Sequence, residues 1–268
     1  MSNPQLPFTA VVLAADRGPH DPVAKAAGVN CKSMTPVGGT PMVFRVLEAL
    51  AASKAIATRI ICGPPKSVVD GDPELASLIA SGELKWFENQ ATPSASAFHV
   101  MQTLPDDAPV LLTTADHALL NTRIVDFFAA EALASDCDVV AGVALHGMVK
   151  EAFPQTRRTA TRLRDGNYCG CNLFAFLTPR ARWAADFWRR VEAQRKKPLR
   201  VIRVLGWITV LRYLMGMLSL DEALDRMSSR LGFKAGAVVL PFPEAAVDVD
   251  SVSDWKLVEE IVSDKSPD

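Results

Sequence analysis

The residues of this chain best placed to do chemistry are one lysine and a few carboxylates, several of them at the ends of apolar runs. Lys32 opens the stretch Lys32-Ser-Met-Thr-Pro-Val-Gly-Gly-Thr-Pro-Met42. A compact ammonium at the mouth of a glycine-containing loop, where backbone amides are free, neutralises phosphate oxygens and a departing pyrophosphate. Lys25 competes for that role, and a solvated turn explains either lysine. Asp116 directly follows the buried-type run Val110-Leu-Leu-Thr-Thr114 and Ala115. Its carboxylate suits Mg²⁺, which keeps few protein ligands and takes others from phosphates; the alternative is a cap on a helix beginning near Leu119. Asp248 and Asp250 are two apart, so an extended backbone turns them to the same side, where a nearby cation would relieve their repulsion. Arg157, Arg158, Arg162 and Arg164 fall within eight residues. Alternation in an extended segment would set Arg158, Arg162 and Arg164 on one face, fit for a ligand carrying a phosphate and a carboxylate, or else form a solvated charged hairpin.

Other chemistries lack their residues. The four histidines show no HxxxH or HxH spacing, and the five cysteines show no paired CxxC spacing, which argues against a zinc site and a disulfide framework alike. No serine-hydrolase elbow, P-loop or kinase set is present. A formal net charge of −1 gives no general attraction to nucleic acid. The apolar stretch near the first residue is too short for a secretory signal, so a reducing, cytoplasmic setting is expected. The long apolar run Leu199 to Leu220 carries Arg200, Arg203 and Arg212, which speaks against a membrane-spanning helix. It fits a buried core helix, a dimer face or an interfacial helix.

These residues need a frame. Phe8 to Ala15 reads as a buried strand ending in a loop, and Met42 to Ala52 as a helix behind Pro41. Strands at Thr58–Cys62 and Leu84–Glu88, and helices around Pro73–Ala80 and Ser94–Leu104, continue the alternation as far as Val110–Thr114. Such alternation predicts an α/β fold with a mostly parallel central sheet flanked by helices, whose ligands bind outside the carboxyl ends of the strands. Further strands at Asp138–Val143 and Asn172–Leu177 bracket the arginine-rich stretch, giving a mixed distal half. Residues 179–232 read as a helical insertion or lid near the C-terminus, within one domain of 268 residues; a strand near Ala237–Leu240 and a helix from Ser253 close the chain.

Leu13-Ala14-Ala15 and the Lys32 segment resemble the opening motifs of the MobA-like NTP transferases, which have a Rossmann-like GT-A nucleotidyltransferase fold. Asp16 stands where that pattern has its first glycine, and His20 where it has an arginine. The resemblance implies that Leu13, Ala14, Ala15, Asp16 and Gly18 cradle the nucleotide, with Lys32 and Arg17 acting on its phosphates. Thr113-Thr-Ala-Asp116 is similar to the family's strand-end acid, and Val247-Asp-Val-Asp250-Ser-Val-Ser-Asp254 to its late acidic segment. Asp116 and Asp250 are thereby implied as Mg²⁺ ligands, with Asp254 as helix cap. Gln90, Ser94 and Ser96 match a segment contacting base and ribose, although a helix cap explains Ser94 too. Asn172 matches a strand facing the acceptor.

What the resemblance implies is transfer of a nucleoside monophosphate from an NTP to a small phosphorylated acceptor. Leu13-Ala-Ala favours CTP over GTP. The arginine cluster and the helical insert resemble cytidylyltransferases that activate phosphoglycerate for lipid headgroups, with Arg158, Arg162, Arg164 and Asn172 toward the acceptor. A guanylyltransferase of the molybdenum-cofactor or cobinamide type, a GT-A glycosyltransferase and a non-catalytic nucleotide-binding module are the alternatives. A homodimer and a peripheral membrane contact remain open; a nucleic-acid partner and a transmembrane segment are not expected.

Overall fold

A computed structural model describes residues 7–15, 20–192 and 206–264. Asp16, Arg17, Gly18, Arg200 and Arg203, all singled out above, lie outside the described residues.

Strand β1 (Phe8–Leu13) takes the centre of an eight-stranded sheet, paired in parallel with β4 (Ile56–Cys62) and β6 (Val110–Thr114). The sheet runs β10-β7-β9-β6-β1-β4-β5, with β5 (Leu84–Phe87), β7 (Val139–Leu145), β9 (Gly166–Phe176) and β10 (Ala235–Val239); short β8 (Thr161–Leu163) pairs with β9. Only β9 departs from the parallel direction: it is antiparallel to β6, β7 and β8 alike. The mostly parallel sheet and its mixed distal half both stand as the sequence predicted.

Helix α2 (Met42–Ala51) buries Val43, Val46, Leu47 and Leu50, the residues at helical spacing. Helices also fall where no element was expected, among them one after β1 and one after β7. The first is α1 (Pro22–Ala27) in the loop after β1, which Asp21 caps by accepting from the Val23 and Ala24 amides and which Gly28 ends at φ 68°. The second is α7 (His146–Ala152). The helices α3 (Lys66–Gly71), α4 (Pro73–Ala80), α5 (Pro93–Met101) and α6 (Thr122–Ala134) complete the first half. A small hairpin, β2 (Pro36–Val37) with β3 (Thr40–Pro41), holds the two glycines after Lys32.

Among the described residues the helical block contains α8 (Ala181–Glu192), α9 (Trp207–Leu214) and α10 (Leu220–Leu231), its stretch 193–205 lying outside them, and α11 (Val252–Asp264) follows β10. The expected continuous run to Leu220 stops at Leu214, because the chain turns through Gly216 at φ 65°. Among the described residues no helix is long and apolar enough to cross a membrane, and none of the five cysteines is in a disulfide.

The main core lies between the sheet and helices α2 and α6, with Phe8, Leu50, Leu111, Ile124 and Phe128 fully enclosed. Removing such a ring leaves a cavity the surroundings fill only in part. Phe128→Ala should cost about 3–5 kcal/mol, read as a lower denaturant midpoint with an unchanged slope.

Candidate functional site

The sheet delivers its first and sixth strands to one edge side by side. The Ala115 amide donates to the Leu13 carbonyl (2.9 Å), so the loops after β1 and β6 leave the sheet as neighbours. Leu13, Ala14, Ala15, Lys32, Ser33, Ala115 and Asp116 line a cleft there. The floor beneath it requires glycine: at Gly63 (φ 73°) a Cβ would come within 2.9 Å of the Ala15 amide nitrogen.

Lys32 begins a single 3₁₀ turn, Lys32–Met34, whose geometry turns its side chain to the strand ends. Its ammonium donates to Asp116 Oδ2 at 2.6 Å and lies 3.6 Å from Asp250 Oδ1. Burial alone would lower the pKa of this ammonium, but Asp116, with help from Asp250 and Asp21, holds it above the ordinary lysine value. Of the two candidate lysines, Lys32 is the one that reaches the strand ends, and Lys25 is exposed on α1.

Asp116 does not cap a helix. α6 starts at Thr122, and Asn121 caps it by accepting from the Ile124 amide. The other Asp116 oxygen, Oδ1, is buried with no hydrogen-bond partner, a costly position for a carboxylate unless something else meets it. The late acidic segment reaches this point through the backbone, since the Val249 amide donates to the Asp116 carbonyl at 3.0 Å. That bond brings Asp248 and Asp250, the residues flanking Val249, to the end of β6. Asp254 accepts from the Ser251 amide (2.9 Å) and hydroxyl (2.7 Å), closing the first turn of α11 in the capping role expected of it.

The two late acids have different environments. The Asp250 side chain is 67% exposed, whereas Asp248 is buried and bonded to Arg158 and to the Asn172 side-chain amide. Burial pushes the Asp248 carboxyl up against the pull of Arg158, and the contact holds the guanidinium above its ordinary value. The guanidinium itself stays charged at neutral pH. Asn172 is the one non-glycine residue with positive φ (48°) among those described, at the point where the β7–β9 register shifts. An asparagine tolerates that backbone, and the kink turns its side chain toward Asp248.

Asp116 and Asp250 fit a hard divalent cation in donor type and in the unpartnered Oδ1. Among the described residues no group of three or more His, Cys, Asp or Glu assembles as a metal site, so further ligands would have to come from a substrate.

The predicted arginine face does not form. The β8 strand is only three residues long, so alternation does not extend back to Arg158, which turns to Asp248. Arg164 approaches Glu222 of α10 at 3.9 Å, and Arg162 stays exposed on β8. Gln90, Ser94 and Ser96 are not among the residues lining the cleft, and Thr92 caps α5, not Ser94. Ser96 Oγ accepts from the Gln90 amide (2.8 Å), which folds that loop, and the Ser94 amide and hydroxyl both donate to Glu192 at the end of α8. The contacts of Glu192, Arg158 and Asp248, and the close approach at Gly63, had no local signal in the sequence.

The profile of the MobA-like NTP transferase domain matches residues 10–202. The chain belongs to this family. One relative, the 2-C-methyl-D-erythritol 4-phosphate cytidylyltransferase of Frankia casuarinae, is 30% identical over 158 residues, 59% of this chain and 56% of that protein; the chain thus spans about half the length of the curated relative it matches. A hypothetical transferase from Thermus thermophilus is similar in structure (TM-score 0.77, 31% identity, 93% of this chain and 100% of that one). The 4-diphosphocytidyl-2C-methyl-D-erythritol synthase of Anaerococcus prevotii shares the fold at TM-score 0.55 and 12% identity, over 96% of each chain.

Beside these acids, burial depresses the His117 imidazole to about 4, Arg158 pulling the same way against Asp116. The native state therefore keeps His117 neutral while an unfolded chain protonates near 6.5. Its contribution is complete above pH 6.5 and is lost as pH falls toward about 4, roughly 3 kcal/mol in all. Urea unfolding at pH 7 and pH 4.5 should show that loss, and His117→Gln should flatten the slope by a comparable amount.

Proposed function

We propose that this MobA-like protein is a magnesium-dependent cytidylyltransferase that moves CMP from CTP to a small, anionic phosphorylated acceptor. The observation that carries the reading is the Lys32 ammonium reaching both Asp116 and Asp250 at the carboxyl end of adjacent parallel strands. In α/β sheets that edge is where ligands sit. The cytidylyl preference is supported by the Leu13-Ala-Ala opening and by the activity named for the Frankia relative.

In this reaction an acceptor phosphate oxygen attacks the α-phosphorus of CTP. A new P–O bond forms in line as the bond to the β-phosphate oxygen breaks, and pyrophosphate departs with the electron pair. A phosphate monoester loses its second proton near ~6, so at neutral pH the nucleophile is already ionised and no general base is required. Lys32, held charged by its carboxylates, offsets the negative charge that builds at the α-phosphate and the leaving group. Magnesium, when bound by Asp116 and Asp250, would supply further positive charge there. Leu13, Ala14 and Ala15 form the cleft wall for the nucleotide. Asp248 fixes Arg158 and Asn172 beside the reaction centre, so these two shape the acceptor side as one unit.

The overhanging β8–β9 hairpin is the acceptor wall in this reading, with Arg162 as its exposed cation. A phosphoglycerate, carrying phosphate and carboxylate together, is the acceptor we favour.

Pyrophosphate release with CTP, Mg²⁺ and 3-phosphoglycerate tests the activity. Asp116→Ala and Asp250→Ala should each abolish it while the melting temperature stays near wild type, and Lys32→Ala should slow it by roughly 10²-fold or more. Near-wild-type turnover by Asp116→Ala would overturn the assignment. For specificity, CTP with Mg²⁺ should raise the melting temperature more than GTP does, and 3-phosphoglycerate should outpace glycerol 3-phosphate and a hexose 1-phosphate. Arg162→Ala should erase the advantage of the carboxylate-bearing acceptor; equal rates for all three acceptors in the wild type would sink the phosphoglycerate proposal.

A further inference from the structure

The backbone around Lys32 is bonded into one piece with the β2–β3 hairpin. The Thr35 amide donates to the Lys32 carbonyl (3.0 Å), and the Thr35 carbonyl accepts from the Met42 amide (2.9 Å). Strands of two residues each have little stability of their own, so what places this hairpin, and the lysine with it, must come from outside.

Two side chains do this, one for each acid that Lys32 reaches. Arg45, on α2, donates through Nε to the Ala118 carbonyl (3.0 Å) and through Nη1 to the Val37 carbonyl (3.4 Å), bridging the hairpin to the loop that carries Asp116. Trp255, on α11, donates its indole N–H to the Pro36 carbonyl at 2.7 Å. Because α11 begins two residues after Asp250, this bond ties the hairpin to the element next to the second acid. The Glu259 carboxylate, one turn further along α11, accepts from the Gly38 amide at 3.1 Å and supports the same joint. Behind these bonds Val37, Ala118, Val249 and Val258 pack in an apolar cluster apart from the main core, each at most 1% exposed. Apolar burial holds the pieces together without direction, whereas a guanidinium fork and an indole N–H fix the angle at which they meet.

We infer that Arg45 and Trp255 are positioning residues that set the reach of Lys32, Arg45 toward Asp116 and Trp255 toward Asp250. The inference rests on the phosphate-neutralising role given to Lys32 above. Neither side chain lines the cleft, so each acts on turnover through the lysine. Trp255→Phe keeps a ring and loses the donor; Arg45→Met keeps the stem and loses the fork. Each should lower kcat by roughly ten-fold with KM for CTP within about two-fold, because the lysine meets charge that builds only during transfer. In a Lys32→Ala background neither substitution should slow turnover further, since the side chain they aim is gone. A side chain that merely stabilised the fold would multiply its own loss onto that of Lys32→Ala. That outcome, or full kcat in both single variants, would overturn the inference. A crystal structure of Trp255→Phe gives a readout that needs no substrate: the Lys32 ammonium should stand farther than 3.6 Å from Asp250 Oδ1. Unchanged distances to both carboxylates would overturn the inference whatever the nucleotide or acceptor proves to be. That shift, seen in a protein that releases no pyrophosphate from CTP with any acceptor, would sink the proposed reaction and leave the positioning standing.

Discussion

Three carboxylates and two cations from distant parts of the chain meet at one edge of the sheet, and each partner is placed by a different element. Asp116 comes off β6, Asp248 and Asp250 from the segment before α11, Lys32 from the 3₁₀ turn and Arg158 from the stretch before β8. Without the cations the acids would repel one another in a part-buried setting. The sharing is unequal. Asp248 is closed off by Arg158 and Asn172, Asp116 is half satisfied by Lys32, and Asp250 is the most open. That graded arrangement separates a carboxylate closed off by its partners from two that can still accept something, and the backbone bond from Val249 to Asp116 ties the late segment to the strand end.

The fold serves this edge in two ways. Parallel β1 and β6 end in register, which aligns the two loops of the cleft. Antiparallel β9, eleven residues long, outruns β6 and carries the β8 hairpin past the same edge. A parallel strand in that position would need a crossover of a dozen or more residues to do so. α11 then locks the far side: the Trp255 indole donates to the Pro36 carbonyl at 2.7 Å, and Gly38 sits so close to Val262 that a Cβ would collide at 2.6 Å.

Much of this was legible because it is local. Apolar runs bounded by turn residues gave β1, β6 and α2 almost to the residue, and an acid standing just after such a run marked Asp116, whereas Asp250 was implied by the resemblance of its segment to the family's late acidic motif. Even α1 had its signals, Asp21-Pro22 before it and Gly28 after, though the loop reading passed over them. Pairings across the fold left no such trace. Alternation along one segment could not show that Arg158 belongs to Asp248, ninety residues on, or that Glu192 reaches the start of α5. The arginine face failed for that reason: spacing describes a strand, but the partner that claims a side chain is set by tertiary packing.

The long sequence separation between partners fixes when the cluster can exist during synthesis. Strands β1, β4 and β6 can pair once residues up to Thr114 have left the ribosome, and Lys32 can then already meet Asp116. Asp250 and the Val249 amide follow more than 130 residues later, which at ordinary translation rates is on the order of ten seconds. The nascent protein therefore carries its lysine-bound acid alone through that interval, and the paired carboxylates arise only when the last helix folds back onto the first loop.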